Sequence, residues 1–335
     1  MTRFFDIDLT LLPKPDAVEA ADHATILNAR LQELKARLFE GGISFDVEMI
    51  KPDPFVLNER HAAFQDMLLR KRINDAALAT TLAYATGADL DHKAAELGVV
   101  RKVVEADPDA IPPVAGSIES DTDLRRRRQL AIEALSTAGP VGAYEFFTLA
   151  AHPHVSDVAV YDPHSELCGE GEVLCVIASS QGDGVPTDLV LDSVADFLDA
   201  REINYAVSDQ RIRDLDRRQK LRPLNDRVIV EACSGLDYSI TALLKIPFGP
   251  DPELVRTEAE KRLLAYLCSR RQIARIISDS AIAAAVHVAD ENGVAMVDDA
   301  DITITVGEAT VTDVIPTAKQ LARPTSVVVT YEVIS

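Results

Sequence analysis

No basic tail and no excess of basic residues occur in this chain of 335 residues: 34 Lys and Arg stand against 54 Asp and Glu, a formal charge of −20. Binding to nucleic acid is driven largely by release of condensed counterions as clustered cations meet phosphates. A strongly acidic chain is therefore a poor partner for nucleic acid and an equally poor one for anionic lipid. Long apolar runs are missing as well. The start lacks a basic segment followed by an apolar one, and the run from Ala281 to Ala289 falls far short of the ~18 apolar residues of a spanning helix. A soluble product made in the cytoplasm is expected, with no membrane partner. The four cysteines, Cys168, Cys175, Cys233 and Cys268, form no CxxC pair, so reduced buried thiols are expected and a redox role is not.

Catalytic signatures are equally scarce. There is no GxSxG elbow, and Ser117 and Ser136 have only remote histidines for a triad. His152, His154 and His164, with Cys168, form the clustered candidates for metal ligation. His-x-His spacing suits zinc, but His152 and His154 flank the helix-ending Pro153 and no HExxH helix accompanies them. Loop histidines are the preferred reading, and a metal-dependent hydrolase using His152, His154 and His164 is the rival. Gly182-x-Gly184 lies between a predicted strand and a predicted helix, as a phosphate loop would, yet no third glycine and no GK[ST] follow. Asp298, Asp299 and Asp301, with Asp290 and Glu291 upstream, lack the spacing of an EF-hand loop and read as a solvated acidic turn. Arg125 to Arg128 invite a nucleic-acid adaptor, but with the acids Asp121 and Asp123 at the helix start they read instead as a solvated or ion-paired face. No catalytic residue, cofactor or functional metal is expected.

What the chain does contain is a change of pattern at Leu135 to Tyr144. Ser136, Gly139 and Pro140 break a helix predicted over Arg125 to Leu135, and a new helix opens behind them. Before this hinge the chain is helical. Met1 to Ala20 reads as an extended arm, His23 to Glu40 as a helix with the stripe Leu27, Leu31, Leu34 and Leu38, and Leu57 to Thr86 as a longer helix ending at Gly87. In that longer helix Phe64, Leu68 and Leu82 supply bulk, while Ala79 and Ala83 let another backbone approach. Leu90 to Leu97, capped by Asp89 and closed by Gly98, is the third helix. After the proline-rich linker Asp107 to Pro113 and the hinge, strands at Val155 to Tyr161 and Glu172 to Ala178 form a hairpin. A helix carrying Val190, Val194, Phe197 and Leu198 and a strand at Val228 to Ala232 complete a first α+β unit, with Arg201 to Lys220 a charged insert.

A second α+β unit starts at Leu236 to Ile246, where the even positions are apolar. A helix from Asp251 to about Arg271 with Val255, Ala259, Leu263 and Leu267 on one side follows, then a helix capped by Ser278. Strands near Val294 to Val297, Ile302 to Val306 and Ser326 to Ile334 end the chain. The expected class is α+β: a helical bundle over 1–110, a middle unit over 116–232 and a C-terminal unit over 233–335.

The run EALSTAGPVGAYEFFTLAAHPHVSDVAVYDP resembles the signature of the phage baseplate J-like family, wedge proteins of contractile tails and tail-like bacteriocins. Arg70 to Val99, Phe4 to Ala20 and Leu221 to Ala232 resemble the family in the same order. The resemblance departs at Arg201 to Lys220 and after Gly307. It implies a mechanical protein that pairs with a second copy of itself and with a different wedge protein through the helical half. The C-terminal units would join in a ring near the sheath-initiator and central hub or spike proteins, in a particle assembled in the host bacterial cytoplasm. The implied interface residues are Phe5, Leu12, Phe64, Leu68, Ala79, Ala83, Ala138, Gly139, Pro140, Tyr144, Val329 and Tyr331.

Overall fold

The structure, a computed structural model, describes residues 7–15, 17, 22–44, 53–104, 116–136, 138–213, 221–223, 225–249, 251–289 and 293–334. Helices and sheets are both present, and the described residues fall into two compact units: Met1–Lys102 with Ile118–Gln129, and Val103–Ser117 with Leu130–Ser335. The predicted linker Asp107 to Pro113 lies outside the described residues.

In the first unit α1 spans His23–Glu40, as its leucine period and Gly41-Gly42 stop predict. Asp22 caps it by accepting the Thr25 N–H at 2.8 Å, which satisfies one of the unpaired donors of the first turn. The leucine stripe is only half covered: Leu27, Leu31, Leu34 and Leu38 are partly exposed, and Ile26 alone is buried in this helix. α2 spans Pro54–Ala79 and packs on α1, with Arg30 paired to Glu59 at 2.8 Å. It ends about two turns before the predicted Thr86. The hydroxyls of Thr80 and Thr81 turn back to the carbonyls of Ala77 and Leu78, and the Arg125 guanidinium takes the Leu82 and Ala85 carbonyls at 2.8 and 2.7 Å. Side-chain donors thus compete with the helix ladder, and an alanine-rich segment that favours helix by propensity becomes a turn. α3 spans Gly87–Ala95 with Thr86, not Asp89, at its N-cap, and Gly98, at φ 72°, closes the turn behind it.

The chain leaves and re-enters this unit through short strands β1 (Val103–Val104) and β2 (Ser117–Ile118). α4 then spans Asp121–Leu130, and Glu133–Leu135 forms a separate 3₁₀ turn, so the predicted helix over Arg125 to Leu135 is shifted and split.

The second unit carries α5 (Val141–Ala151) and, among its described residues, a five-stranded and a four-stranded sheet besides a two-stranded one. β3 (Val155–Tyr161) and β4 (Glu172–Ser179) form the expected antiparallel hairpin. α6 (Asp188–Leu198) carries the chain to β5 (Glu202–Asn204) and β6 (Arg211–Ile212), followed by β7 (Arg227–Ala232). The order is β3-β4-β7-β5-β6, with β4, β7 and β5 parallel. β5 and β6 lie inside the stretch read as a charged insert. Glu202-Ile203-Asn204 is too short and polar to show a period, and its partner β7 supplies what propensity does not.

β8 (Ser234–Pro247) buries Tyr238, Ile240, Ala242, Leu244 and Ile246 on one face, which is the alternation in its sequence. Against that face lie Val255, Ala259, Leu263 and Leu267 of α7 (Pro252–Ser269) and Ile282 and Val286 of α8 (Asp279–Val286). Each fully buried Val, Leu or Ile contributes about 1.5–3 kcal/mol, so this core is a large apolar term of the unit. β9 (Ile277–Ser278) precedes α8 and pairs with β12 (Asp313–Val314); β10 (Asp299–Val306), β11 (Ala309–Val311) and β13 (Gln320–Ile334) complete the second sheet in the order β11-β10-β8-β13. β13 runs parallel to β8. The strand predicted at Val294 to Val297 is reduced to a single bridge between Ala289 and Ala295.

Candidate assembly interface

The hinge is held by a loop far away in sequence. Gly139 sits at φ 67°, and a Cβ there would stand 2.6 Å from Pro223 Cγ, so glycine is required both for the backbone and for the approach. Tyr144, 3% exposed, donates its hydroxyl to Asp226 Oδ2 at 2.6 Å. Burial first, then the Asp226 carboxylate, push the Tyr144 hydroxyl well above the usual phenol range. Arg222 holds the same loop, donating to the Asp226 carbonyl at 2.8 Å and to the carboxylate of buried Asp199 at 2.9 Å. Two stretches singled out separately in the sequence, at the hinge and before β7, therefore form one clasp. Its chemistry is packing and hydrogen bonding.

The arginine run is also structural. Arg127, 5% exposed, makes a bidentate pair with Glu119 at 2.6 and 2.7 Å and takes the Val100 carbonyl. Arg125 binds the turn after α2, and Arg128 donates to the Lys93 carbonyl at 3.0 Å. Arg101 adds Asp91 and Asp121, each at 2.7 Å. Beside this cluster, burial and the nearby Arg127 charge push the Lys102 ammonium down to about 8. These guanidiniums are engaged with carboxylates and helix-end carbonyls, which leaves little free charge for phosphates.

His152 and His154 have ring centroids 5.2 Å apart, and the His154 backbone N–H donates to His152 Nδ1 at 3.1 Å. His164 is 95% exposed, 3.8 Å from Asp162. Among the described residues no group of three His, Cys, Asp or Glu side chains is placed to hold a metal ion. The thiols divide by position. Cys175 and Cys233 are buried, and burial pushes each up to about 12, whereas Cys168 is half-buried and Cys268 is exposed, contrary to the expectation that all would be buried.

The other residues named from sequence scatter over the surface. Phe5 lies outside the described residues. Leu12 is exposed and its carbonyl accepts the Tyr84 hydroxyl. Phe64 is 46% exposed on α2; Leu68 and Ala79 are half-buried there, and Ala83 stands in the following turn instead of on the helix. Ala138 is exposed, Gly139 and Pro140 are half-buried, Val329 is buried and Tyr331 is 39% exposed. Sequence reading overlooked Phe55, Leu57, Leu69 and Ile73, all exposed along α2. Their signal was available, since α2 has more apolar residues than a single stripe can bury.

The model of the baseplate J-like N-terminal domain matches residues 52–107, which hold α2 and α3, and that of the baseplate J-like central domain matches residues 136–232, from the hinge to the end of β7. Baseplate protein J of Escherichia phage P2 is 34% identical over 285 residues, 84% of this chain and 87% of that protein. A chain of the cryo-EM structure of the anti-feeding prophage (AFP) baseplate, 6-fold symmetrised, is similar over 63% of this chain and 43% of its own length, with 11% identity and a TM-score of 0.39. With the relative at that identity along most of both chains, this chain belongs to the baseplate J-like family.

Proposed function

We propose that the chain is a structural, non-enzymatic subunit of the baseplate wedge of a contractile phage tail or a related tail-like particle. The observation that carries this is the match along most of its length to a phage protein named for the baseplate. In this reading the division of labour follows 1–110, 116–232 and 233–335. The helical part joins a second copy and a different wedge protein, which complete a bundle over the half-covered leucines of α1 and the exposed Phe55, Phe64, Leu69 and Ile73 of α2. The middle and C-terminal parts assemble around the hub, near the sheath initiator, and pass on the trigger for sheath contraction. Assembly takes place in the host bacterial cytoplasm. Burying apolar surface left open on one chain is the main favourable term in obligate association, which is why an underfilled helical unit fits this role.

The test is to express the full chain together with the products of neighbouring genes and to examine co-purified complexes and assembled particles by electron microscopy. Stoichiometric incorporation at the tail end is expected. Particles that assemble a complete baseplate when the gene is deleted would overturn the proposal.

A further inference from the structure

The middle sheet and the C-terminal sheet are distinct strand ladders that meet in sequence at Cys233. Their contact is unusual for two lobes. Asp157 of β3 is 4% exposed, and its Oδ2 accepts the backbone N–H of Ile273, in the loop after α7, at 2.9 Å. Ala274, at φ 57°, donates its N–H to the Gln320 carbonyl at 2.9 Å, which presents Ile273 and Leu321 together to the middle sheet. There they join Leu174, Val176 and Ala178 of β4 and Ile229 of β7 in one buried cluster. These β4 residues alternate with Cys175, which lies on the opposite face beside Glu145 and Thr148 of α5, so both faces of the middle sheet are covered.

Around this buried patch runs a polar rim. Arg323 of β13 pairs with Asp183, in the loop before α6, and with Asp237 of β8 at 2.7 Å. Lys319 pairs with Glu231 at 2.9 Å, Arg271 donates to the Gly182 carbonyl at 3.2 Å, and Tyr161 donates to the Ala318 carbonyl. Two glycines make room for it: a Cβ on Gly184 would run into Leu321, and one on Gly235 would run into the Arg323 guanidinium.

We infer that the middle and C-terminal lobes form one rigid body, locked by the Asp157 carboxylate and the Arg323 bridge, with no hinge at the Ala232–Ser234 crossing. Contacts between independent lobes are typically polar and permit relative motion. Here separation would expose the Ile273 and Leu321 cluster and break a buried hydrogen bond to a carboxylate in the same step. An acceptor in an apolar contact is tolerated because its donor is fixed opposite it, so a partial opening leaves the Ile273 N–H without the Asp157 acceptor. The contact has a closed state and an open one, with no stable intermediate. In the baseplate reading such a body passes displacement from one end to the other without bending. That consequence rests on the proposed function; the coupling of the lobes does not.

Hydrogen exchange followed by mass spectrometry on the full chain tests the coupling. The slowest amides of β4 and β7 should open together with those of β8 and α7, with the same dependence on urea. In Asp157→Ala the Ile273 amide should exchange about tenfold to a hundredfold faster and the two lobes should open at different urea concentrations. Gly235→Ala, which displaces only the end of a flexible side chain, should separate the lobes more weakly and serves if Asp157→Ala does not fold. Distinct opening of the lobes in the unmodified chain, or an Ile273 amide indifferent to both substitutions, would overturn the inference. Absence of the chain from assembled particles would overturn the proposed function and leave the coupling untouched.

Discussion

Replacing Glu119 by alanine tests whether the arginine run is an internal scaffold. Glu119 and Arg127 are each 6% exposed at the side chain and share two short contacts. Glu119 Oε2 also accepts the Lys102 N–H at 2.9 Å. Removing one partner of a buried ion pair costs about 3–5 kcal/mol, because the other charge is left without compensation. A second buried donor losing its acceptor adds about 1–3 kcal/mol. A loss of at least ~4 kcal/mol is a large part of the 5–15 kcal/mol typical of a folded domain, so α3 and α4 should open readily in Glu119→Ala. Urea unfolding read through hydrogen exchange of peptides from α3 and α4 gives the measurement. Glu33→Gln is the control, since the Arg37–Glu33 pair on α1 is 75% and 61% exposed and exposed pairs contribute about 0–1 kcal/mol. The double substitution Glu119→Leu with Arg127→Met should recover most of the loss, as apolar replacement of a buried pair is often neutral. If Glu119→Ala shifts unfolding no more than Glu33→Gln, the pair is not buried and the run is a solvated surface after all.

Gly139→Ala should destabilise the second unit by about 1–2 kcal/mol from the left-handed backbone and further from the contact with Pro223, visible as a lowered melting temperature. Alkaline titration should act oppositely on the two units. Lys102 is pushed down to about 8 in the folded state, so its destabilising effect is full below pH 8 and disappears as pH rises toward the ordinary lysine value of 10.5, and the first unit gains stability across that window. Cys175 and Cys233 are pushed up to about 12, so the unfolded state loses protons first and the second unit loses stability as pH rises from about 9, which exchange at the β4 and β8 amides resolves. Phe64→Ser with Leu69→Ser should leave the melting temperature of the isolated chain within about 0.5 kcal/mol equivalent, because both are exposed, while reducing co-purification with the partner wedge protein; unchanged association would remove α2 from the interface.

Periodicity located the elements whose cores are their own. The β3–β4 hairpin, β8 and α7 follow their sequence patterns because the residues that repeat are the ones that pack, and α1 keeps its predicted bounds although its leucine stripe is only half covered. Elements decided by a remote group were not legible. The end of α2 depends on the Arg125 guanidinium, and β5 depends on β7, neither of which leaves a local trace. The clasp at the hinge was half visible: Gly139, Pro140 and Tyr144 stood out as a break, but their partners Pro223 and Asp226 lie beyond a charged stretch with no pattern linking the two. By sequence Arg125 to Arg128 read as a solvated or ion-paired face along one helix, whereas Arg127 pairs with Glu119 while Arg125 and Arg128 reach carbonyls of other elements.

The parallel pairing of β8 with β13 also fixes an order of events during synthesis. β8 leaves the ribosome early, yet the strand that covers one of its edges comes only after α7, α8, β10, β11 and β12 have been made. Closing so long a loop is entropically slow, and until then a long apolar strand has unpaired backbone groups along that edge. Antiparallel β10, which is made first, can cover the other edge and hold β8 in register. A nascent chain stalled before Gln320 should therefore be the most aggregation-prone species this protein passes through, and the timing of its release bears on how many copies survive to fold.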